Sequence, residues 1–310
     1  MNKLKAPFPY FGGKSRVADV IWRALGNPKN YIEPFCGSAA VLLSRPPSQP
    51  TDAKYRNEII GDLDCYIVNF WRAMKHNPNS VAEYAEHLNS QADMNARHIY
   101  LLDARKWLSE NVKKDPEYYD AKCAGYWVYG MSCWIGWGWT NEKYRGASKK
   151  NRASPVGIFS ERLQDIGNVF SSISERLKRV IVVNDKWEKT CSAPYIVKDD
   201  CGVFFDPPYS EKANRDNNVY AQEDLVVAHA VREWCISNQE ICKIVLAGYS
   251  GEHEELEGRG WRVYSWSSGG GTYGKSSGVN SRGKSNRHKE RLWISPLCER
   301  IDESATLLDS

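Results

Sequence analysis

Short apolar runs alternate along this chain with longer segments in which apolar residues recur every three or four positions. The short runs are typical of buried parallel strands, and the longer segments are typical of helices with one apolar face. Strands are predicted at 31–34, 58–61, 179–183, 202–205, 241–247, 261–266 and 290–294. Helices are predicted at 15–25, 64–74, 161–177 and 224–237. The alternation predicts an α/β fold in which helices cover a parallel sheet.

The region from 77 to 154 interrupts this alternation. It contains several helical patterns and no convincing strand, then the aromatic segments 126–129 and 134–139, then a basic loop. We therefore predict a helical insert at 76–154 within a domain formed by 1–75 and 155–300, followed by a tail at 301–310. The aromatic residues are interpreted as a compact core or as a support for the neighbouring loop, and a base-stacking platform is the alternative.

Composition narrows the class of protein. The chain has 310 residues, a net charge of +4 and nine cysteines, none of them in a C-x-x-C pair. Neither a zinc site nor a disulfide framework is therefore expected, and no metal is assigned. No apolar run approaches the roughly 20 residues that span a bilayer, and the N-terminus lacks a secretion pattern. A cytoplasmic protein without a membrane partner is expected.

The positive charge is concentrated in two polar segments, 143–152 and 275–291, which is what binding to a phosphate backbone requires. Taken alone, the two segments favour nucleic-acid contact and solvated surface equally. A third polar stretch, 210–220, is expected to be a mobile lid. Candidate DNA contacts in these three segments are Lys143, Arg145, Lys149, Lys150, Arg152, Arg215, Tyr220, Lys275, Arg282 and Lys284.

The tetrapeptide Asp206-Pro207-Pro208-Tyr209 follows the predicted strand 202–205. It therefore lies at the carboxyl end of a strand, where open α/β sheets bind ligands. The Asp206 carboxylate and the Pro207 carbonyl can each accept one hydrogen of an exocyclic base amine, which turns the nitrogen lone pair toward an incoming methyl group. Tyr209 offers a ring on which an extruded base can stack. The tetrapeptide is interpreted as the catalytic motif.

Three other strand ends carry candidate ligand-binding groups. The segment 31–43 is predicted to be a strand, a tight turn at Gly37 and a helix N-terminus, which lets the backbone approach a ligand closely. Asp62 follows the next strand, where a carboxylate can accept hydrogen bonds from ribose hydroxyls. A helix N-cap is the alternative for Asp62. Asp185 follows a third strand and can accept from an adenine amine.

The segment 9–14, which precedes the first predicted helix, also carries candidate ligand-binding groups. Its glycines, including Gly12, bring the backbone close to a ligand. Lys14 can pair with a carboxylate, and Tyr10 can pack on a sulfonium or an aromatic face.

In these motifs and their order, the chain resembles the α group of DNA adenine N6-methyltransferases, which includes members carried by bacteriophages. The resemblance rests on 9–14, 31–43, 58–62 and 203–209, with the recognition insert between the donor-binding and catalytic motifs, and the closing segment 290–296 is also similar to many phage members. It implies a Rossmann-like methyltransferase fold that uses S-adenosylmethionine, with a helical target-recognition insert.

The resemblance also implies roles for individual residues. Donor contacts are implied for Tyr10, Lys14, the turn formed by Glu33, Pro34, Phe35 and Gly37, Asp62, and Asp206, which lies at the target amine as well. The family often has tryptophan at the position of Tyr10, and commonly has a second glycine where Ala39 stands. We expect weaker donor binding at worst from the second difference.

The function implied is methylation of adenine N6 in double-stranded DNA by base flipping, carried out by a monomer. A cytosine N4-methyltransferase is an alternative, although such enzymes more often have serine at the position of Asp206. A catalytically inactive DNA-binding regulator is the other alternative. The recognition sequence cannot be read from the chain, and protection of a phage genome, restriction-modification and regulation would all use this chemistry.

Overall fold

A computed structural model gives the fold. It describes residues 4–10, 12–47, 56–86, 90–134, 139–146, 166–192, 194, 196, 200–208, 220–266 and 290–301, with the side chains of 220–225 left out. The α-helices of the described residues are α1 Ala18–Leu25, α2 Ala40–Leu43, α3 Cys65–His76, α4 Pro78–Tyr84, α5 Gln91–Lys114, α6 Ala121–Cys133, α7 Ile166–Leu177, α8 Trp187–Thr190 and α9 Tyr220–Asn238. The strands there are β1 Asn30–Glu33, β2 Asn57–Gly61, β3 Val180–Val183, β4 Cys201–Phe205, β5 Lys243–Tyr249, β6 Arg262–Ser265 and β7 Glu290–Ile294.

Every predicted strand and helix has an observed counterpart within a few residues of its predicted bounds, so the α/β class is confirmed. None of the helices within the described part of the chain has the length and apolarity to span a membrane. The chain divides into two compact units by contact. The first unit is Met1–Ser15, Cys36–Ser44 and Glu58–Thr190, and the second is Arg16–Phe35, Arg45–Asn57 and Cys191–Ser310.

In the first unit, α3 is the central helix. Its N-terminus is capped by Asp64, whose carboxylate accepts a hydrogen bond of 2.9 Å from the N–H of Tyr66. The helix packs against α5, α6 and α7. Strands β2 and β3 pair in parallel, with Glu58 opposite Val180 and Gly61 opposite Val183. The carboxyl ends of the two strands therefore lie side by side.

The buried guanidinium of Arg72 ties α3 to its neighbours in this unit. It donates hydrogen bonds to the carbonyls of Val182 in β3, Val112 near the end of α5 and Asp115 just beyond it. Burial lowers the pKa of Arg72 from its usual value, and the nearby Asp115 opposes this effect. The cation is stabilised by carbonyls that the end of α5 would otherwise leave unpaired.

The predicted insert contributes α4, α5 and α6 to the first unit, with no strand among its described residues. Trp127, Trp134 and Trp139 are buried, and the rings of Trp134 and Trp139 lie 5.4 Å apart. The interpretation of the described aromatic residues as a compact core is therefore confirmed. Residues 135–138 lie outside the described residues, and the insert boundaries remain a prediction.

In the second unit the strand order is β1-β4-β5-β7-β6. Strands β1, β4 and β5 are parallel, and β4 is buried along its whole length, as its continuous apolar sequence predicts. Strand β7 pairs antiparallel with both β5 and β6, so the predicted parallel sheet has an antiparallel end. The reason lies in the sequence: no helix is predicted between 266 and 290, and parallel neighbours need a long crossover, usually a helix.

Candidate active site

The turn at Gly37 is bound to the end of β2 within the first unit. The backbone N–H of Gly37 donates to Oδ2 of Asp62 over 3.1 Å, and the N–H of Cys36 donates to the carbonyl of Gly61 over 2.9 Å. Gly37 has a φ of 44°, in the left-handed region that glycine enters without steric cost. The glycine turn and the acidic residue that sequence analysis assigned to the donor therefore lie together.

Asp62 is half-buried, and its second carboxylate oxygen accepts a hydrogen bond of 3.0 Å from the N–H of Asp64. Burial raises the pKa of Asp62 to about 7, against the lowering effect of these backbone N–H donors. The alternative interpretation of Asp62 as the helix N-cap is wrong, because Asp64 caps α3. Leu63, between the two, is 65% exposed, and sequence analysis did not single it out.

The N-terminal motif lies against the same turn. A Cβ added to Gly37 would come within 2.5 Å of Cε1 of Tyr10, so the Tyr10 ring covers the glycine, while Tyr10 itself is 39% exposed. Lys14 is buried, and its ammonium donates to the carbonyl of Gly12 over 2.6 Å. Gly12 has a φ of 73°. The Lys14 ammonium can also pair with a carboxylate ligand.

Trp71 is a functional candidate that sequence analysis missed. Its indole Nε1 donates a hydrogen bond of 2.9 Å to the carbonyl of Gly37. Trp71 lies on α3, where it is fully buried, and an aromatic residue on the buried face of a helix gives no sequence signal beyond core packing.

Ala39, where the family commonly has glycine, adopts the conformation that a glycine would take. Its φ and ψ are 47° and 33°, in the left-handed region, and it is the residue that precedes α2. The backbone just past Gly37 thus keeps the glycine-type path with an alanine in it. An L-residue with a Cβ is held there at a cost of about 1–2 kcal/mol.

Asp185 lies at the same edge of the β2–β3 pair as Asp62. It follows β3 directly after Asn184, whose side-chain amide donates to the carbonyls of Asp62 and Leu63 over 3.1 and 3.3 Å. Asp185 is exposed, and its carboxylate accepts a hydrogen bond of 2.8 Å from the N–H of Lys186.

The second unit brings together the remaining donor and catalytic candidates. Strands β1 and β4 are adjacent and parallel, so Glu33, at the end of β1, and Asp206, directly after β4, lie at the same edge. The rings of Phe35 and Phe205 are 6.4 Å apart across this edge. Glu33 is buried and accepts a hydrogen bond of 2.9 Å from the hydroxyl of Tyr31.

The predicted catalytic motif, 206–209, is described as far as its second proline. Asp206 is half-buried, Pro207 is buried and Pro208 is exposed. Like Pro207, Pro34 after β1 is buried. Phe205, directly before Asp206, packs edge-on against Trp234 of α9 with ring centroids 5.2 Å apart, which fixes the end of β4. Tyr209 lies outside the described residues.

Comparison with known proteins decides the family. A family model for the D12 class of N6 adenine-specific DNA methyltransferases matches residues 10–233, which is more than half of the chain. The chain belongs to this family. A DNA N-6-adenine-methyltransferase of Escherichia phage P1 is 30% identical over 94 residues. That match covers 30% of this chain and 11% of the phage protein, so the chain aligns with only about a tenth of this relative's length.

The match to the D12 class extends from Tyr10 into α9. It therefore includes the glycine turn, Asp62, Asp185 and Asp206, and the predicted family is confirmed. A methyltransferase of this class implies a methyl donor and a DNA substrate. Among the described residues, no group of three or more His, Cys, Asp or Glu side chains is arranged to hold a metal ion. All nine cysteines are buried thiols that form no disulfide.

Two of the candidate DNA contacts of this D12-class chain lie in the described segment 139–146. Lys143 is exposed. Arg145 binds Glu142 through hydrogen bonds of 2.5 and 3.0 Å and Asp103 of α5 through one of 2.9 Å. These two surface carboxylates compete with phosphate for Arg145, which makes it a weaker candidate than Lys143.

The segment 139–146 is held to α5 by a buried histidine. The ring nitrogens of His98 lie 2.6 Å from the carbonyl of Trp139 and 3.1 Å from that of Tyr144. Tyr220 begins α9, but its side chain is not described. The other candidate contacts lie outside the described residues: Lys149, Lys150, Arg152, Arg215, Lys275, Arg282 and Lys284.

Proposed function

We propose that this protein transfers a methyl group from S-adenosylmethionine to the exocyclic N6 amine of an adenine flipped out of double-stranded DNA. The observation that carries the proposal is the position of Asp206. It is a half-buried carboxylate directly after the buried strand β4, followed by the buried Pro207. Ligands of open α/β sheets bind at such strand ends.

Asp206 and Pro207 solve the chemical problem of a poor nucleophile. The lone pair of the adenine amine is delocalised into the ring, so the nitrogen attacks weakly. When the carboxylate of Asp206 and the carbonyl of Pro207 accept its two hydrogens, the lone pair is directed toward the methyl carbon. The N–C bond forms as the C–S bond breaks, the bonding electrons remain on sulfur, and the methylated amine then releases one proton to water. Proline suits this role because its fixed φ holds the carbonyl in place.

The first unit has the chemical groups that the donor requires. S-adenosylmethionine supplies an activated methyl group on a sulfonium, so the protein has to bind and orient it. Asp62 offers carboxylate oxygens to the ribose hydroxyls, Lys14 pairs with the carboxylate of the amino acid part, and the partly exposed Tyr10 ring faces the sulfonium. Because Gly37 has no Cβ, the Tyr10 ring can pack directly on the turn, which brings Tyr10 and the turn together for the donor. Asp185 is proposed to accept from the adenine amine of the donor.

Residues of the turn after β1 and of the insert complete the proposal. Glu33, Pro34 and Phe35, which begin that turn, are proposed to contact the donor. Lys143 and the basic residues of segments 149–152 and 275–284 are proposed to contact phosphates on both sides of the flipped base, while Tyr209 stacks on it. We propose that the enzyme acts as a monomer in the cytoplasm, where DNA and the donor are both found.

Two alternatives differ from this proposal in measurable ways. A cytosine N4-methyltransferase would use the same geometry, but such enzymes more often have serine where Asp206 stands. A DNA-binding regulator without catalysis would not need the Asp206 motif. The D12-class match and the aspartate both favour adenine.

The test is methyl transfer from S-adenosylmethionine with a labelled methyl group to unmethylated double-stranded DNA. We expect label in the DNA, and N6-methyladenine as the labelled base after hydrolysis. Labelled N4-methylcytosine would contradict the base assignment, and DNA binding without incorporation of label would support the regulator instead.

A further inference from the structure

Both polar backbone atoms of Gly37 are hydrogen-bonded to side chains of the first unit. Its N–H donates to the carboxylate of Asp62, and its carbonyl accepts from the indole of Trp71 over 2.9 Å. The first partner belongs to the proposed donor site, whereas the second is a fully buried side chain on α3. The orientation of the Gly37 residue therefore depends on a group that cannot itself reach a ligand.

Trp71 also contacts the segment that leads to the N-terminal motif. Its ring centroid lies 6.0 Å from that of Phe8, and the Phe8 ring lies 6.1 Å from that of Tyr10 in an edge-on arrangement. Phe8 is buried among Phe70, Trp71 and Trp127. One side chain thus touches two of the chain segments that carry donor candidates, the turn at Gly37 and the segment that ends in Lys14.

We propose that Trp71 is a positioning residue for the methyl donor, acting through the carbonyl of Gly37 and the ring of Phe8. This inference rests on the proposed function, because it assumes that the turn binds the donor. Glycine has the widest conformational freedom of any residue, and at a φ of 44° no side chain of its own restrains Gly37. The hydrogen bonds from Trp71 and to Asp62 supply that restraint. A Trp71 that only fills the core is the competing interpretation.

The experiment compares Trp71→Phe with Trp134→Phe. Phenylalanine keeps an aromatic ring at position 71 but removes the N–H donor. Trp134 is equally buried in the same unit, and among the described residues its indole nitrogen has no hydrogen-bond partner, so Trp134→Phe is the matched control. Calorimetry without DNA measures binding of S-adenosylmethionine and of S-adenosylhomocysteine to each protein.

We expect Trp71→Phe to raise the Kd of both ligands about threefold to tenfold, which corresponds to the loss of one hydrogen bond. The KM for the donor should rise equally, while kcat at saturating donor and the KM for DNA stay within twofold of the parent. Trp134→Phe should leave the donor Kd within twofold. A Trp71 that only fills the core predicts a different result, in which both variants lose thermal stability and neither has a selective effect on the donor. The selective rise in the donor Kd of Trp71→Phe therefore distinguishes positioning from core packing.

A Kd for Trp71→Phe equal to that of the parent would overturn the inference and leave the proposed function intact. A parent protein that binds neither ligand would overturn the proposed function, and the inference with it. If Trp71→Phe does not fold, the parent supplies the test through the indole N–H resonances in ¹⁵N-labelled protein. The Trp71 signal should shift on addition of S-adenosylhomocysteine and the Trp134 signal should not; an unmoved Trp71 signal would contradict the inference.

Discussion

The backbone N–H of Gly37 donates a hydrogen bond of 3.1 Å to the carboxylate of Asp62. The two residues are 25 positions apart in the sequence and lie in two separate candidate motifs, both within the range that matches the D12-class family. This hydrogen bond brings the two motifs together within the first unit. Burial of the carboxyl raises the pKa of Asp62 by more than the Gly37 N–H lowers it.

Donor binding should depend on the ionisation of Asp62. Burial raises the pKa of Asp62 to about 7, so below pH 7 the free protein holds this carboxyl mostly protonated. The carboxylate form is the better acceptor for ribose hydroxyls, and donor affinity should therefore increase as the pH rises from 5 to 7, by up to tenfold per unit, and then level off. Calorimetry across pH 5–8 measures this.

The control for that titration is Asp62→Asn, which cannot ionise. Its donor affinity should be lower than that of the parent at pH 8, and its pH dependence should contain only the ionisation of the ligand itself. Equal pH profiles for the two proteins would show that Asp62 does not bind the donor as a carboxylate.

Gly37→Ala should disable the donor site. An alanine Cβ would lie 2.5 Å from Cε1 of Tyr10, and the φ of 44° is unfavourable for any residue with a Cβ by about 1–2 kcal/mol. We expect donor affinity to fall at least tenfold. Gly258→Ala is the control, because a Cβ there meets no atom within 4 Å and its φ is not left-handed. Wild-type affinity in Gly37→Ala would contradict the close packing of Tyr10 on the turn.

Ala39 allows a test of backbone strain. In Ala39→Gly, relief of the left-handed strain gains about 1–2 kcal/mol. The greater freedom of glycine in the unfolded chain costs about 0.5–1 kcal/mol, and the lost buried methyl costs about 0.8 kcal/mol. These contributions nearly cancel, so the free energy of unfolding should change by less than about 1 kcal/mol.

Ala39→Val should instead destabilise the protein by more than about 2 kcal/mol, since a β-branched residue fits the left-handed region worst. Chemical denaturation of both variants measures the difference. Equal stability of Ala39→Gly and Ala39→Val would contradict the observed φ of Ala39.

Sequence analysis located the elements of the fold because each strand of the parallel part is a short apolar run and each motif lies where such a run ends. It could not find Trp71, since its role depends on a contact between α3 and a turn 34 residues earlier in the chain. Asp64 shows a related limit. Both Asp62 and Asp64 follow β2, and only the observed start of α3 at Cys65 identifies which of them is the cap.

Charge patterns were less informative about individual residues. Lys143 and Arg145 are two positions apart and equally basic in sequence, yet Arg145 is bound by Glu142 of the same turn and Asp103 of α5. The Glu142 partner is close in sequence, but Asp103 is 42 positions away. Which of the two basic residues is better placed to bind phosphate therefore depends on contacts that form only in the folded chain.

The basic segments should determine the salt dependence of DNA binding. On duplex DNA the log–log slope is roughly −0.9 per phosphate neutralised. Replacing Lys149, Lys150 and Arg152 together with alanine should flatten the slope by up to about three units, as should replacing Lys275, Arg282 and Lys284. Donor affinity should not change. A triple variant that keeps the parental slope would show that its segment is only solvated surface.

The central claim is that Asp206 organises an adenine amine for methyl transfer, and the most direct measurement compares the parent with Asp206→Ala in one assay. Both proteins receive methyl-labelled S-adenosylmethionine and duplex DNA, and the labelled nucleosides are then identified. The account predicts N6-methyladenine from the parent, and a loss of turnover of more than about a hundredfold in Asp206→Ala, which retains measurable donor binding. Turnover of Asp206→Ala within tenfold of the parent, or any labelled base other than N6-methyladenine, would contradict it.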